Sequence, residues 1–322
     1  MLARTIIAAA VLLTAAPAAH AAPVETFLEA EGPGGLLKGT LLTPENRPDA
    51  PVMVLIPGSG PTDRDGNNPM GVAGGPYRKL AEALAEEGIA TLRVDKRGQF
   101  ASGGASFGEA GPTIAAYAED MKAWIAQARV TTGAECVWLA GHSEGGLVAQ
   151  VTAQDAEGVC GLILISAGGR RLSDVIREQI TSNPANPPDV LEQSERALGS
   201  LERGQRIDVS GFHPALQPLF TPQLQGFLIS IFSYDPADLL KTYRGPVLIV
   251  QGTTDIQIRM SDARRLAAAR PDAKLVVIEG MNHVLRIAPE DRMANAATYA
   301  DTSLPLAPGV AEAIAEFIRR PR

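Results

Sequence analysis

The chain has 322 residues, of which 45% are hydrophobic and 5% aromatic, and it carries a formal net charge of −7. That length and apolar fraction suit one large α/β domain or two small ones. The acidic balance, the scarce aromatics and the lack of a long basic run give no electrostatic case for binding DNA, RNA or an anionic membrane.

Residues 1–21 read as a secretory leader. Arg4 precedes an apolar run from Ile6 to Leu13, and Ala19-His20-Ala21 forms a small-x-small cleavage site. The run is too short to span a bilayer, so removal on export to the periplasm or the medium is expected, not anchoring. No cysteine lies near that site, so no lipid anchor is expected.

After the leader, residues 24–43 predict two strands around a Gly-Pro-Gly-Gly turn. Strands follow at Val52–Ile56, Ile89–Val94, Val137–Ala140, Leu162–Ile165, Val247–Val250 and Leu275–Ile278. Helices are expected at Tyr77–Glu87, Ile114–Ala128, Gly145–Gln154, Asp262–Ala269 and Val310–Arg319. The β-then-α order predicts a mostly parallel, doubly wound sheet with helices on both faces. Continuous apolar runs such as "LILI" and "VLIV" suit strands covered on both sides. Residues 169–245 break this rhythm. They are rich in Pro and Asn at "TSNPANPPDV" and promise only short helices. A long insertion between two strands is usually functional, and a cap over one end of the sheet is expected. The core is then 22–168 with 246–322. Cys136 and Cys160 each precede a strand. If those strands are neighbours, a disulfide is open to them in an oxidising compartment; the alternative is two small buried residues.

Two serines fit Gly-x-Ser-x-Gly: Ser143 in "GHSEGG" and Ser106 in "GASFG". The pattern alone is weak, because the chemistry needs a strand, a sharp turn and then a helix around the nucleophile. Ser143 has "CVWLA" before it and "GGLVAQVTAQ" after it. Ser106 follows the polar, glycine-rich "QFASGG" and reads as a loop residue. A serine nucleophile needs a base, and the base needs an orienting group. His283, in "EGMNHVL", follows a strand and lies at the edge where doubly wound sheets place their sites. His213 falls in the insertion, and the side chain of His142 is expected to point away from the serine. Asp255, in "VQGTTD", reaches the same edge as His283. Asp235 and Asp238 precede their strand, and Asp262 is expected to cap a helix. The order Ser143, Asp255, His283 is that of one fold in particular.

These motifs together resemble serine esterases of the α/β-hydrolase fold, most of all bacterial carboxylesterases of the EstD type. "LIPGSGPTDRDGN" stands where the family has its oxyanion loop, and "VDKRGQFASGG" resembles its Asp-x-Arg-Gly-x-Gly-x-Ser segment. "AGHSEGG", "VQGTTD" and "GMNH" resemble the nucleophile, acid and base segments. Many relatives have His-Gly at the oxyanion loop, where this chain has Pro57-Gly58. The resemblance implies backbone oxyanion donors at Ser59 and Glu144. The Glu144 carboxylate is then expected near the helix N-terminus, where negative charge is favoured, without a part in proton transfer. "DRDGN", residues 63–67, reads equally as a solvated turn or as a wall of the site. Asp95 and Arg97 are expected to pair with each other or to brace the oxyanion loop.

The expected activity is hydrolysis of a small-molecule carboxylic ester, with no metal or organic cofactor implied. A thioesterase or a serine peptidase on the same triad is the nearest alternative. Asp189, Glu192, Glu195 and Glu202 of the insertion are available to capture a free amine. A binding protein that kept the fold is the alternative from another class. The oligomeric state is not readable.

Overall fold

The computed structural model describes residues 22–320, so the expected leader lies outside the described residues. An N-terminal hairpin, β1 (Val24–Gly32) and β2 (Gly35–Thr43), leads into β3 (Val52–Ile56), α1 (Pro76–Glu86) and β4 (Ala90–Val94). Then come α2 (Ile114–Thr132), β5 (Val137–His142), α3 (Glu144–Thr152) and β6 (Val159–Ile165). Four helices separate β6 from the next strand: α4 (Leu172–Thr181), α5 (Pro188–Glu202), α6 (Pro222–Phe232) and α7 (Pro236–Thr242). The chain closes with β7 (Val247–Gly252), α8 (Met260–Ala269), β8 (Lys274–Ile278), α9 (Arg292–Ala297) and α10 (Val310–Ile318).

The strands form one sheet in the order β1-β2-β4-β3-β5-β6-β7-β8. β1 and β2 run antiparallel to their neighbours, and β4 through β8 pair in parallel. Side chains alternate across the sheet, so each apolar run feeds two cores. On one face Val52, Val54 and Ile56 pack with Trp124 of α2 and Val148 of α3. On the other, Met53 and Leu55 pack with Leu80 of α1 and Ile314 of α10. That two-sided cover is why "VMVLI" and "VLIV" are apolar without a break.

The inserted helices share the first core. Leu198 and Leu201 of α5 and Phe232 of α6 belong to the same buried cluster as α2 and α3. Arg170 ties the start of the insertion to α8, with Nε and Nη2 each 2.9 Å from the Asp262 carboxylate. Asp262 is therefore not the expected helix cap. It lies inside the first turn of α8, almost fully buried, and the N-cap position is Arg259. Asp235, set aside in the sequence, is the residue that caps, accepting from the Ala237 N–H at the start of α7.

β5 and β6 are neighbours, with Val137 opposite Val159. Cys136 and Cys160, at the amino ends of these strands, are joined as a disulfide with their Cα atoms 5.2 Å apart. No helix among the described residues is long and apolar enough to cross a membrane.

Candidate active site

The loops that leave β3, β4, β5, β7 and β8 all open at the carboxyl edge of the parallel sheet, and they bring the predicted residues together. β5 ends at His142 and α3 begins at Glu144, so Ser143 alone makes the turn. Its φ of 54° and ψ of −121° lie where a non-glycine residue is strained. The turn is over-determined. The Ser143 N–H donates to the Ile165 carbonyl at 3.0 Å, and the Gly146 N–H donates to the Ser143 carbonyl at 3.0 Å. A Cβ on Gly141 would collide with the backbone of Gly145, and one on Gly145 would collide with the carbonyl of Ile56. The two glycines let β5, α3 and the end of β3 touch backbone to backbone. The first N–H groups of a helix lack intrahelical partners, so the Glu144 amide opens the turn as a donor.

The loop after β8 holds His283. Asn282 shapes it, its Oδ1 accepting from the N–H groups of Val284 and Arg286 at 3.1 Å each. His283 is buried, and its Nδ1 lies 2.9 Å from Asp255 Oδ2. Asp255 Oδ1 accepts from the N–H of Gln257 at 2.8 Å and of Ile258 at 2.9 Å. Burial alone would raise the Asp255 pKa. The charge and hydrogen bond of His283, with the two backbone donors, more than offset it and hold the carboxyl below its ordinary value. An ionised Asp255 keeps the proton of neutral His283 on Nδ1, which makes Nε2 the basic nitrogen.

Ser143 and Ser59 line two cavities. The larger, about 280 Å³, is also lined by His283, Tyr77, Gln257 and Tyr299. The smaller, about 120 Å³, is lined by Leu147, Leu172, Val175 and Ile231, and by Glu144. Gln257 and Tyr299 were not foreseen: no motif marks them, and only the folding of two distant loops makes them neighbours of Ser143.

The structure overturns one expectation and sharpens three. His142 does not turn away from the site. Its ring lies 4.7 Å from that of His283, centroid to centroid, and it lines the larger cavity. The Glu144 carboxylate faces Lys96 Nζ at 4.0 Å and is nearly buried. Burial raises its pKa against the opposing pull of Lys96. Asp95 and Arg97 do not pair with each other. Arg97 Nε is 3.0 Å from both carboxylate oxygens of Asp120, and Asp95 accepts from the Arg64 N–H at 2.8 Å. Asp95 thereby braces the segment that follows the expected oxyanion loop. Residues 63–67 are both a turn and a wall: Asp63 Oδ1 accepts from the N–H of Asp65 and Asn67, while Gly66 lines the larger cavity. Ser106 is an exposed loop residue whose Oγ accepts from the Gly108 N–H at 3.0 Å, and His213 stays within the insertion.

Residues 53–296 match the alpha/beta hydrolase family. The chain belongs to that family. Among its relatives, this α/β hydrolase is 24% identical over 272 residues to Esterase EstD of Thermotoga maritima, across 81% of this chain. The aligned part is 61% of the length of that relative. Among solved structures it is similar to Est1E of Butyrivibrio proteoclasticus, solved with ferulic acid. That likeness has a TM-score of 0.56 and 19% identity, and covers 90% of this chain and 96% of the other. A thermophilic esterase of Thermogutta terrifontis, solved with malate, gives a TM-score of 0.54 and 18% identity over 91% and 98% of the two chains. At these identities the two structures show the fold of this α/β hydrolase.

Proposed function

We propose that this protein is an exported serine hydrolase that cleaves carboxylic esters with short acyl chains. One observation carries the reading: Ser143, strained on the β5–α3 turn, shares a cavity with His283, whose Nδ1 is held by buried Asp255. Ser143 Oγ attacks the acyl carbon while His283 Nε2 takes its proton. The tetrahedral oxyanion is met by the N–H groups of Ser59 and Glu144, each worth roughly 3–4 kcal/mol in the barrier. Collapse expels the alcohol, which takes the proton from His283. Water, activated by the same imidazole, then cleaves the acyl-enzyme.

Residues 169–245 act as the cap in this reading, and the small apolar cavity between them and Ser143 takes the acyl chain. Its volume of about 120 Å³ suits a chain of a few carbons. The peptidase alternative needs acidic groups of the insertion to be free to capture an amine. Glu195 and Glu202 instead pair with Arg177, and neither cavity is lined by Asp189 or Glu192. Export accords with the leader and with a disulfide that oxidising compartments maintain.

The test is hydrolysis of p-nitrophenyl esters from acetate to palmitate by residues 22–322 and by the same chain with Ser143→Ala. The reading expects a maximum at acetate or butyrate and a loss on the order of 10⁴-fold or more in the variant. A long-chain maximum would contradict the acyl-pocket assignment. Hydrolysis that survives Ser143→Ala would remove the serine mechanism.

A further inference from the structure

Lys96 follows β4 and is buried, at 6% exposure. An ammonium group is costly to bury unless its donors are used. Here Nζ donates to the Gly58 carbonyl and to the Gly60 carbonyl, both at 2.7 Å, and faces the Glu144 carboxylate at 4.0 Å. Two further bonds hold the same loop. The Gly58 N–H donates to Tyr77 Oη at 3.1 Å, and Thr62 Oγ1 donates to the Ser59 carbonyl at 2.9 Å. Burial lowers the Lys96 pKa, while Glu144 draws it back upward. Lys96 and Glu144 face each other beneath the loop, each the nearest opposite charge the other is given.

The Gly58 carbonyl and the Ser59 N–H belong to one peptide unit. That unit is planar and trans, so the two groups point in opposite directions. A cation fixed on the carbonyl side sets the direction of the N–H on the other side. It also draws electron density toward the carbonyl oxygen, which makes the N–H a stronger donor. Ser59 lines both cavities beside Ser143, and a Cβ added to Gly58 would come within 3.3 Å of Ser143 Cβ.

We propose that Lys96 is a positioning residue for acyl transfer, clamping the carbonyls of Gly58 and Gly60 so that the Ser59 N–H is aimed at, and polarised toward, the oxyanion formed on the substrate. The inference rests on the ester-hydrolase reading above. Lys96 touches no substrate atom in this account.

The experiment compares wild type, Lys96→Met and Lys96→Gln on p-nitrophenyl butyrate, together with inhibition by an alkyl trifluoromethyl ketone. Serine adds to that ketone to give a stable oxyanion, so its Ki reads the oxyanion site directly. In Lys96→Met we expect kcat to fall about 10- to 100-fold with KM within about twofold, and the ketone Ki to rise by a factor that tracks the loss in kcat. Lys96→Gln keeps N–H donors without the charge and is expected to lie between. If Lys96→Met does not fold, Lys96→Gln is judged by the same criteria. A kcat within about threefold of wild type in folded Lys96→Met would overturn the proposal. So would a loss of kcat without the matching loss of ketone affinity, which is the mark of a merely structural role. A wild type that hydrolyses no ester would overturn the reading beneath it. A wild type that depends on Ser143 but is indifferent to Lys96 would overturn this inference alone.

Discussion

His142 stands one residue before Ser143, and its surroundings fix its protons. The Gly58 N–H donates to Tyr77 Oη, so the Tyr77 hydroxyl is left to donate to His142 Nδ1 at 2.8 Å. His142 Nε2–H then donates to the His283 carbonyl at 2.7 Å. One neutral imidazole thus joins the loop after β3, the β5–α3 turn and the loop after β8. Burial, with His283 alongside, pulls the His142 pKa down to about 3. The unfolded chain binds this proton below about pH 6.5, and the folded chain resists it down to about pH 3. Its contribution to stability is therefore complete above pH 6.5 and is lost as pH falls toward 3. Urea unfolding at pH 7.5 and pH 4.5 should show the advantage of wild type over His142→Gln shrinking in acid, by on the order of a few kcal/mol. An advantage independent of pH would contradict this. Asp255 makes a second prediction at this scale. Asp255→Asn keeps the shape but favours the wrong tautomer of His283, so kcat for ester hydrolysis should fall roughly 10⁴-fold near neutral pH. A loss under about tenfold would mean that Asp255 does not orient the base. Neither Tyr77 nor Lys96 was legible as a partner of the site, because their roles depend on backbone groups of a loop, and backbone carries no sequence signature.

At the scale of elements, the strands were the legible part. Val52–Ile56 was expected and found, and Leu275–Ile278 gains only Lys274. A strand buried on both faces must be apolar throughout, and little else in a chain looks like that. The helix α9 was missed because it spans only Arg292–Ala297, too short to show a periodic face. The insertion was recognised as a break, but its helices were not placed, since α4 through α7 take their apolar positions from packing onto the first core. Arg170 and Asp262 fasten that insertion to the hydrolase core. Asp262→Ala would leave Arg170 without its main partner and the Gly169 N–H without its acceptor. A loss of about 2–3 kcal/mol in urea unfolding is expected; a change under about 0.5 kcal/mol would show that the pair does not fasten the insertion. The disulfide spans 24 residues of sequence, over β5, α3 and the start of β6. Restricting that loop in the unfolded chain is worth about 3 kcal/mol, so Cys136→Ala with Cys160→Ala should lower stability by that order.

At the scale of the whole molecule, the sheet supplies rigidity at one edge and the insertion supplies the wall opposite. Ser143 lies where the two meet, between a larger cavity of mixed lining and a smaller, mainly apolar one. Chain order alone made the Ser-Asp-His edge legible, because parallel strands all deliver their following loops to the same side. The wall was not legible, since Leu172, Val175 and Ile231 come from helices whose positions only the tertiary packing sets. If that wall limits the acyl group, Leu172→Ala should move the preferred p-nitrophenyl ester toward longer chains by about two carbons, and an unmoved preference would separate the insertion from specificity. The most direct test of the central claim is labelling of the folded protein with a fluorophosphonate, read by intact mass and peptide mapping. One adduct on Ser143, absent from Ser143→Ala and strongly slowed in His283→Ala, is the predicted result. No adduct, or an adduct on another serine such as Ser106, would contradict the assignment of Ser143 as the activated nucleophile.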